Sequence, residues 1–307
     1  MTTVVDQEGF PERIRGRLFR LAYRMLGDVH EAEDIVQDAM LRWHTAEPGA
    51  VDSPDGWLVT VTSRLAIDRL RHLRTERALY DGPWLPTPMA TAHPAAADRE
   101  VERASDLSMA FLMLLERLGP EERVAFLLRE VFDTAYSDIA RLLETPVPSV
   151  RQLVHRARAR VRVERARFTA PPAARAQLLQ RFLTALQADD ADALLAVFAE
   201  DATFTSDGGG KVSAMREVVR GARHVAQALL GFERMGRGLA THRITPLNGE
   251  AAIMTLVDGR VVFVTCVACD GDRVSAVYRV LNPDKLGHLG VEIFEWPERH
   301  ITRPPVR

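Results

Sequence analysis

At Thr241 the hydrophobic pattern of this chain changes from a helical period to a strand-like one, and that change limits what it can fold into. Four runs, HRITPLNG, AAIMTLVDG, RVVFVTCVACDG and RVSAVYRVLN, are rich in β-branched and apolar residues. Asn248-Gly249, Asp258-Gly259 and Asp270-Gly271 mark their boundaries. Asn-Gly and Asp-Gly tolerate the positive φ angles of tight hairpin loops, so the runs predict a meander of antiparallel strands. Before them come two helical stretches, LLQRFLTAL and ADALLAVF, then ATFTSDGGGK, then a third helix, GARHVAQALLGF. Helices followed by a meander predict an α+β domain with the helices against one face of a curved sheet.

Residues 8–167 carry only the helical period outside one linker. Leu18, Leu21, Ala22, Met25 and Leu26 form an apolar stripe that Gly27-Asp28 interrupts. Asp28 is placed to cap the next helix, DVHEAEDIVQDAMLRW, whose buried face is Ala32, Ile35, Val36, Ala39 and Trp43. Glu31, Asp34 and Asp38 line one flank of it, suited either to a basic partner helix or simply to solvent. A Pro-, Gly- and Asp-rich loop over residues 45–56 follows, with Ser53 or Asp55 as the next cap. The following helix is apolar at Trp57, Leu58, Val61, Leu65 and Leu73 and carries five Arg between Arg64 and Arg77. Residues 78–107 contain Pro83, Pro86, Pro88 and Pro94 and read as an extended linker. Tyr80, Trp84 and Leu85 are large apolar groups for a solvated linker and are expected to pack.

Helices resume with MAFLMLLERL, EERVAFLLREVF and the short YSDIARLL. Residues 149–167 hold seven Arg, one His and a single acid, Glu164. Val150, Leu153, Val154, Ala157 and Val161 recur on one helical stripe, leaving Arg151, Gln152, His155, Arg156 and Arg162 on the other side. Residues 137–156 fit a helix-turn-helix, with Ala140 allowing close approach and Val150 filling the space between the helices. Glu144 stands where that turn tends to need a positive φ, which a side chain makes costly. Thr145 is a candidate cap, with Pro146 and Pro148 in the first turn of the second helix. A basic helix of this kind suits a DNA groove, or else a solvated surface.

Total charge does not choose between them. Of 40 Lys and Arg, only Lys211 and Lys285 are Lys, so Arg abundance is a property of the whole chain rather than of one site. Two Cys among 307 residues exclude a disulfide scaffold and fit a reducing compartment. No run of 18 apolar residues and no signal-like N-terminus occur, so a cytoplasmic protein without membrane contact is expected.

Three segments together resemble an extracytoplasmic-function sigma factor of the sigma-70 family. LFRLAYRMLGDVHEAEDIVQDAMLRW is similar to the family's polymerase-clamp segment, PDGWLVTVTSRLAIDRLR to its −10-reading helix, and YSDIARLLETPVPSVRQLVHRARARV to its −35-reading module. YDGPWLPTP, SDGGGK and NPDKL resemble motifs of the SigJ-like subfamily, which carries a C-terminal SnoaL-like domain; Thr87 stands where an acid is usual. The resemblance implies core RNA polymerase and promoter DNA as partners and no cofactor, metal or catalytic residue. It implies that Glu31, Asp34 and Asp38 dock on polymerase. Arg64 (where Asn is usual), Arg69 and Arg71 would serve the −10 element, and Arg151, Gln152, His155, Arg156 and Arg158 the −35 element. Tyr80, Trp84, Asp207, Gly208, Gly209, Gly210, Lys211, Asn282, Pro283, Asp284 and Lys285 would make regulatory contacts between the linker and the C-terminal domain.

The implied organisation is multidomain: two all-α sigma domains, the second a helix-turn-helix, plus an α+β SnoaL-like cone. Residues 1–77 would form the first, 78–107 the linker, 108–168 the helix-turn-helix domain and 169–307 the SnoaL-like regulatory domain and tail. Asp-Gly-Gly-Gly-Lys is too short for a phosphate-binding P-loop. His224, Cys266, Tyr278 and Arg279 could line a cone pocket for an unidentified small-molecule ligand, but no acid–base pair is evident from their spacing and they read by default as core and surface. Cys266 and Cys269 lie three apart on a strand and so point to opposite faces, which disfavours zinc. A ligand-responsive helix-turn-helix regulator and a SnoaL-like enzyme with a helical appendage are the alternatives.

Overall fold

The computed structural model describes residues 10–46, 53–90, 107–165 and 170–289. The chain forms two units, one of Met1–Ala78 and Met89–Ala166, the other of Leu79–Pro88 and Arg167–Arg307. Half of loop 45–56, the linker around Pro94 and the boundaries placed at 107 and 168 fall wholly or partly outside the described residues.

The first unit is helical. Helix α1 (Phe10–Leu26) ends at Gly27, whose φ is +68°. Its stripe from Leu18 to Leu26 is fully buried. Asp28 caps α2 (Val29–Thr45), accepting from the amides of His30 and Glu31. Ser53 caps α3 (Pro54–Ala78), its hydroxyl accepting from the Gly56 amide at 3.3 Å. The buried face of α3 differs from the expected one. Val61 and Leu65 are only half-buried, while Thr62, Ser63, Ala66, Ile67 and Leu70 are buried. Ser63 is accommodated because its hydroxyl donates to the Val59 carbonyl at 2.6 Å.

Helices α4 (Met109–Glu116), α5 (Pro120–Glu130), α6 (Tyr136–Leu142) and α7 (Val147–Arg165) complete this unit. The turn between α6 and α7 is a Schellman motif: the Thr145 amide donates to the Ala140 carbonyl at 3.0 Å, with Glu144 at φ +51°. Pro146, not Thr145, occupies the cap of α7, because its carbonyl accepts from Ser149 and Val150. Only Pro148 lies within the first turn. Val150, Val154, Ala157 and Val161 are buried as the stripe requires, and Leu153 is half-buried. Glu144→Gly is expected to stabilise the first unit by about 1 kcal/mol, the cost of a Cβ in the left-handed region, read as a higher urea midpoint at unchanged m.

The second unit contains α8 (Pro172–Gln187), α9 (Ala191–Val197), β1 (Phe198–Asp207), β2 (Val219–Arg220), α10 (Ala222–Gly236), β3 (Ala240–Leu247), β4 (Glu250–Val257), β5 (Arg260–Asp270) and β6 (Arg273–Val280). Strands β3 to β6 form the expected antiparallel meander. Asn248-Gly249 and Asp258-Gly259 have paired positive φ values, as hairpin loops of this type need. In the last hairpin Asp270 pairs with Arg273, so the loop is Gly271-Asp272.

The sheet is nevertheless mixed. Residues 198–207, where the sequence predicts a helix end at Phe198 and no element beyond it, form β1, which pairs in parallel with β6 from Thr203↔Ala276 to Asp207↔Val280. The order is β2-β1-β6-β5-β4-β3. Helices α8 to α10 cover one face, building a core that includes Phe182, Phe198, Phe204, Leu229, Val267 and Val277.

Candidate functional site

The candidate residues fall into two sets, one in each unit. In the first unit, α2 presents Asp34, Asp38 and Leu41 to solvent along one edge, Leu41 at 57% exposure. Glu31 does not share that freedom. Its carboxylate accepts from Arg69 Nε and Nη2, both at 2.6 Å, and Arg69 also meets Glu76 at 2.9 Å. These acids raise the Arg69 pKa and keep it cationic. An acid assigned to polymerase and an arginine assigned to DNA thus satisfy each other across α2 and α3. Arg71 pairs with Glu121 at 2.9 Å and with Asp68 at 3.3 Å, while Arg64 projects into solvent.

On α7, Arg151, Gln152, His155, Arg156 and Arg158 are all exposed. Arg156 and Arg160 converge on Glu122 of α5 at 3.0 and 2.8 Å, and Arg158 reaches Glu130 at 2.6 Å. Arg151 lies over the Tyr136 ring at 5.5 Å. Helix α7 is therefore held on its apolar seam and on both sides of it, by Arg156 and Arg160 on one flank and Arg158 on the other, while Gln152 and His155 point outward. Glu122 and Glu130 were missed in the sequence; their partners lie 34 and 28 residues away.

Sequence reasoning also missed a buried junction inside the first unit. Glu116 accepts from Arg123 Nη1 at 2.8 Å through one oxygen and from Arg77 Nη1 at 2.8 Å through the other. Arg123 also donates to the Met25 carbonyl at 2.7 Å, and Arg77 to the Leu26 carbonyl. One carboxylate thereby ties α3, α4, α5 and the end of α1.

The second unit brings the linker and the two lysine-bearing motifs together. Asp207, wholly buried at the end of β1, accepts from the Tyr80 hydroxyl at 2.6 Å, the Leu85 amide at 2.8 Å and Lys285 Nζ at 2.7 Å. Lys285 also donates to the Leu85 carbonyl at 2.5 Å and sits 4.2 Å from the Trp84 ring centroid. Asn282 Nδ2 donates to the Tyr80 hydroxyl at 2.8 Å. Burial, followed by the bond to Asp207, pushes the Tyr80 phenol well above its ordinary value, so it remains a donor. The parallel pairing of β1 with β6 makes this possible, because Asp207 and Asn282 leave the sheet on the same side; the Leu281 and Asn282 amides both donate to the Asp207 carbonyl.

The glycines serve close approach. A Cβ on Gly209, whose φ is +62°, would lie 2.3 Å from Asn282 Nδ2. One on Gly210 would lie 3.3 Å from Asp81, and one on Gly208 2.3 Å from the Val212 carbonyl oxygen. Pro283, Asp284 and Lys285 form a single 3-10 turn capped by Asn282. Lys211 bridges to Asp284 at 2.6 Å on the surface, so the two lysines do different work.

Of the four residues considered for a cone pocket and read by default as core and surface, only Arg279 lies on the helix-covered face. His224 is exposed, and Cys266 and Tyr278 pair with each other on the opposite face. Cys269 belongs to the helix-covered core and Cys266 does not. Burial pushes both thiols up to about 12, which makes them inert packing groups. Among the described residues no cluster of His, Cys, Asp and Glu is arranged to hold a metal, and no helix is long and apolar enough to cross a membrane.

Comparison with known proteins matches three families along the chain: Sigma-70 region 2 over residues 12–76, Sigma-70 region 4 over residues 108–161 and a SnoaL-like domain over residues 173–283. The chain is 36% identical over 288 residues to the ECF RNA polymerase sigma factor SigJ of Mycobacterium tuberculosis, covering 89% of this chain and 91% of that one. It is 30% identical over 289 residues to the probable ECF RNA polymerase sigma factor SigI of the same species, covering 91% and 94%. The crystal structure of Mycobacterium tuberculosis SigJ superposes with a TM-score of 0.73 at 33% identity, covering 91% of this chain and 98% of that one.

Proposed function

The chain belongs to the extracytoplasmic-function RNA polymerase sigma factors with a fused SnoaL-like domain, and from that membership we propose that the fused domain regulates initiation by gripping residues 79–88. The two sigma-70 regions are the parts that join core polymerase and promoter DNA in this family. In this reading the exposed edge of Asp34, Asp38 and Leu41 docks on polymerase, with Glu31 supporting it through Arg69. Arg64, Arg69 and Arg71 follow the −10 strand. Gln152 and His155 reach base edges, while Arg151, Arg156 and Arg158 contact phosphate and set register.

The observation that carries the regulatory part is the buried carboxylate of Asp207. It binds the linker at Tyr80 and Leu85 and binds Lys285 from the far end of the chain. A linker held this way cannot change length or direction freely, so the reach between the two sigma regions depends on whether the grip is closed. The SnoaL-like domain is read as a regulator rather than an enzyme, since its candidate polar residues do not converge.

Tyr80→Phe removes one hydrogen bond to a buried carboxylate, weakening the grip by about 1.5–3 kcal/mol. Run-off transcription with purified core polymerase is expected to differ several-fold between this variant and the wild type at saturating factor. Affinity for core, measured separately, is expected to stay the same. Equal run-off output from the two proteins would refute regulation through the linker.

A further inference from the structure

We propose that the interior of the SnoaL-like domain binds a small monocarboxylate with an apolar body, held by the guanidinium of Arg279. Arg279 lies on β6 and is 3% exposed. One hydrogen bond places it, Nε donating to Thr265 Oγ1 at 3.2 Å. Three rings surround it, with centroids 4.4 Å away for Phe263, 5.4 Å for Phe204 and 5.6 Å for Phe232. Among the described residues, its two terminal amino groups donate to no protein atom.

This arrangement differs from two other buried cations of the chain. Arg123 is paired with Glu116 and Lys285 with Asp207. Glu233 is the acid whose charge bears on Arg279, but its carboxylate is engaged by His242 Nε2 at 3.0 Å. Burial lowers the Arg279 pKa to about 10, which still leaves it charged at neutral pH. A buried cation with unfilled donors calls for an acceptor.

The geometry selects the kind of acceptor. With rings around the cation, the terminal amines at the end of the fork are what is left for a ligand. That edge matches the two oxygens of a carboxylate. One cation neutralises one negative charge, so a phosphate dianion would remain unmatched. The three phenyl rings favour an apolar chain or ring on the same molecule over a hydrated one.

The test is thermal unfolding of the full chain with acetate, octanoate, benzoate and phenylacetate, each compared with its primary amide, and with inorganic phosphate. At least one of octanoate, benzoate and phenylacetate is expected to raise the midpoint above its amide by several degrees, with acetate and phosphate well below it. Arg279→Met is expected to fold and to abolish that preference, because removing an uncompensated buried charge does not penalise the fold. If Arg279→Met does not fold, Arg279→Lys, which keeps the charge and lacks the fork, is expected to lose most of the preference. Equal midpoints for every acid and amide pair overturn the proposal. So does an acid preference that survives in the folded variant, or a phosphate shift as large as the best acid's. Binding is read without transcription, so failure here leaves regulation through the linker standing.

Discussion

Asp207→Ala is expected to destabilise the second unit by about 3–5 kcal/mol, the usual cost of removing one partner of a buried ion pair. The loss exceeds that of one contact because three donors are stranded together: the Tyr80 hydroxyl, the Leu85 amide and the Lys285 ammonium. At roughly 2–4 °C per kcal/mol for a domain of this size, its calorimetric midpoint should fall by about 6–20 °C. Lys285→Met alone should also be costly, since it leaves the carboxylate buried among neutral donors. The double variant is expected to recover part of the loss, with a coupling energy of about 1–3 kcal/mol. Strictly additive losses would mean that Asp207 and Lys285 do not act as a pair.

The second large effect is expected in the first unit. Glu116→Ala leaves the Arg77 and Arg123 guanidiniums side by side without their shared carboxylate, costing about 3–5 kcal/mol. The pH dependence has a definite sign. Burial alone would raise the Glu116 carboxyl, but Arg123 and Arg77 outweigh it and hold the folded-state value below the ordinary 4.5. A depressed carboxyl contributes stability that is complete above the unfolded value and is lost as pH falls through the folded one. The wild-type urea midpoint for this unit should therefore decline as pH falls below the ordinary 4.5, and the Glu116→Ala profile should be flatter there. Parallel profiles would remove Glu116 as the source of the acid sensitivity.

What the sequence disclosed follows from how local each signal is. The hairpin loops at Asn248-Gly249 and Asp258-Gly259 and the cap at Asp28 are made by adjacent residues, so their chemistry can be read directly. Strand β1 was not legible because its first residues continue a helical apolar period and its partner β6 lies more than 70 residues on. The inner face of α3 was misread because Thr62 and Ser63 are polar by type and buried in fact. Glu116, Arg123 and Glu122 look like ordinary helix charges until the fold supplies partners from other helices. Tyr80, Asp207 and Lys285 could be named together through the subfamily resemblance and the scarcity of lysine, whereas the bonds among them required the parallel register. Arg279 was named as a pocket residue, but its ring of three Phe comes from β1, β5 and α10 and has no signature along the chain.

The bond between Lys285 and Leu85 also imposes an order in time. The two residues are 200 positions apart, and a growing chain lengthens by roughly 5–20 residues per second. For about 10–40 s of each molecule's synthesis, Leu85 already exists and the lysine that grips it does not. Helix α7 (Val147–Arg165) is made within that interval, and α3 (Pro54–Ala78) before it. Each new molecule thus carries an ungripped linker until its far end has been made.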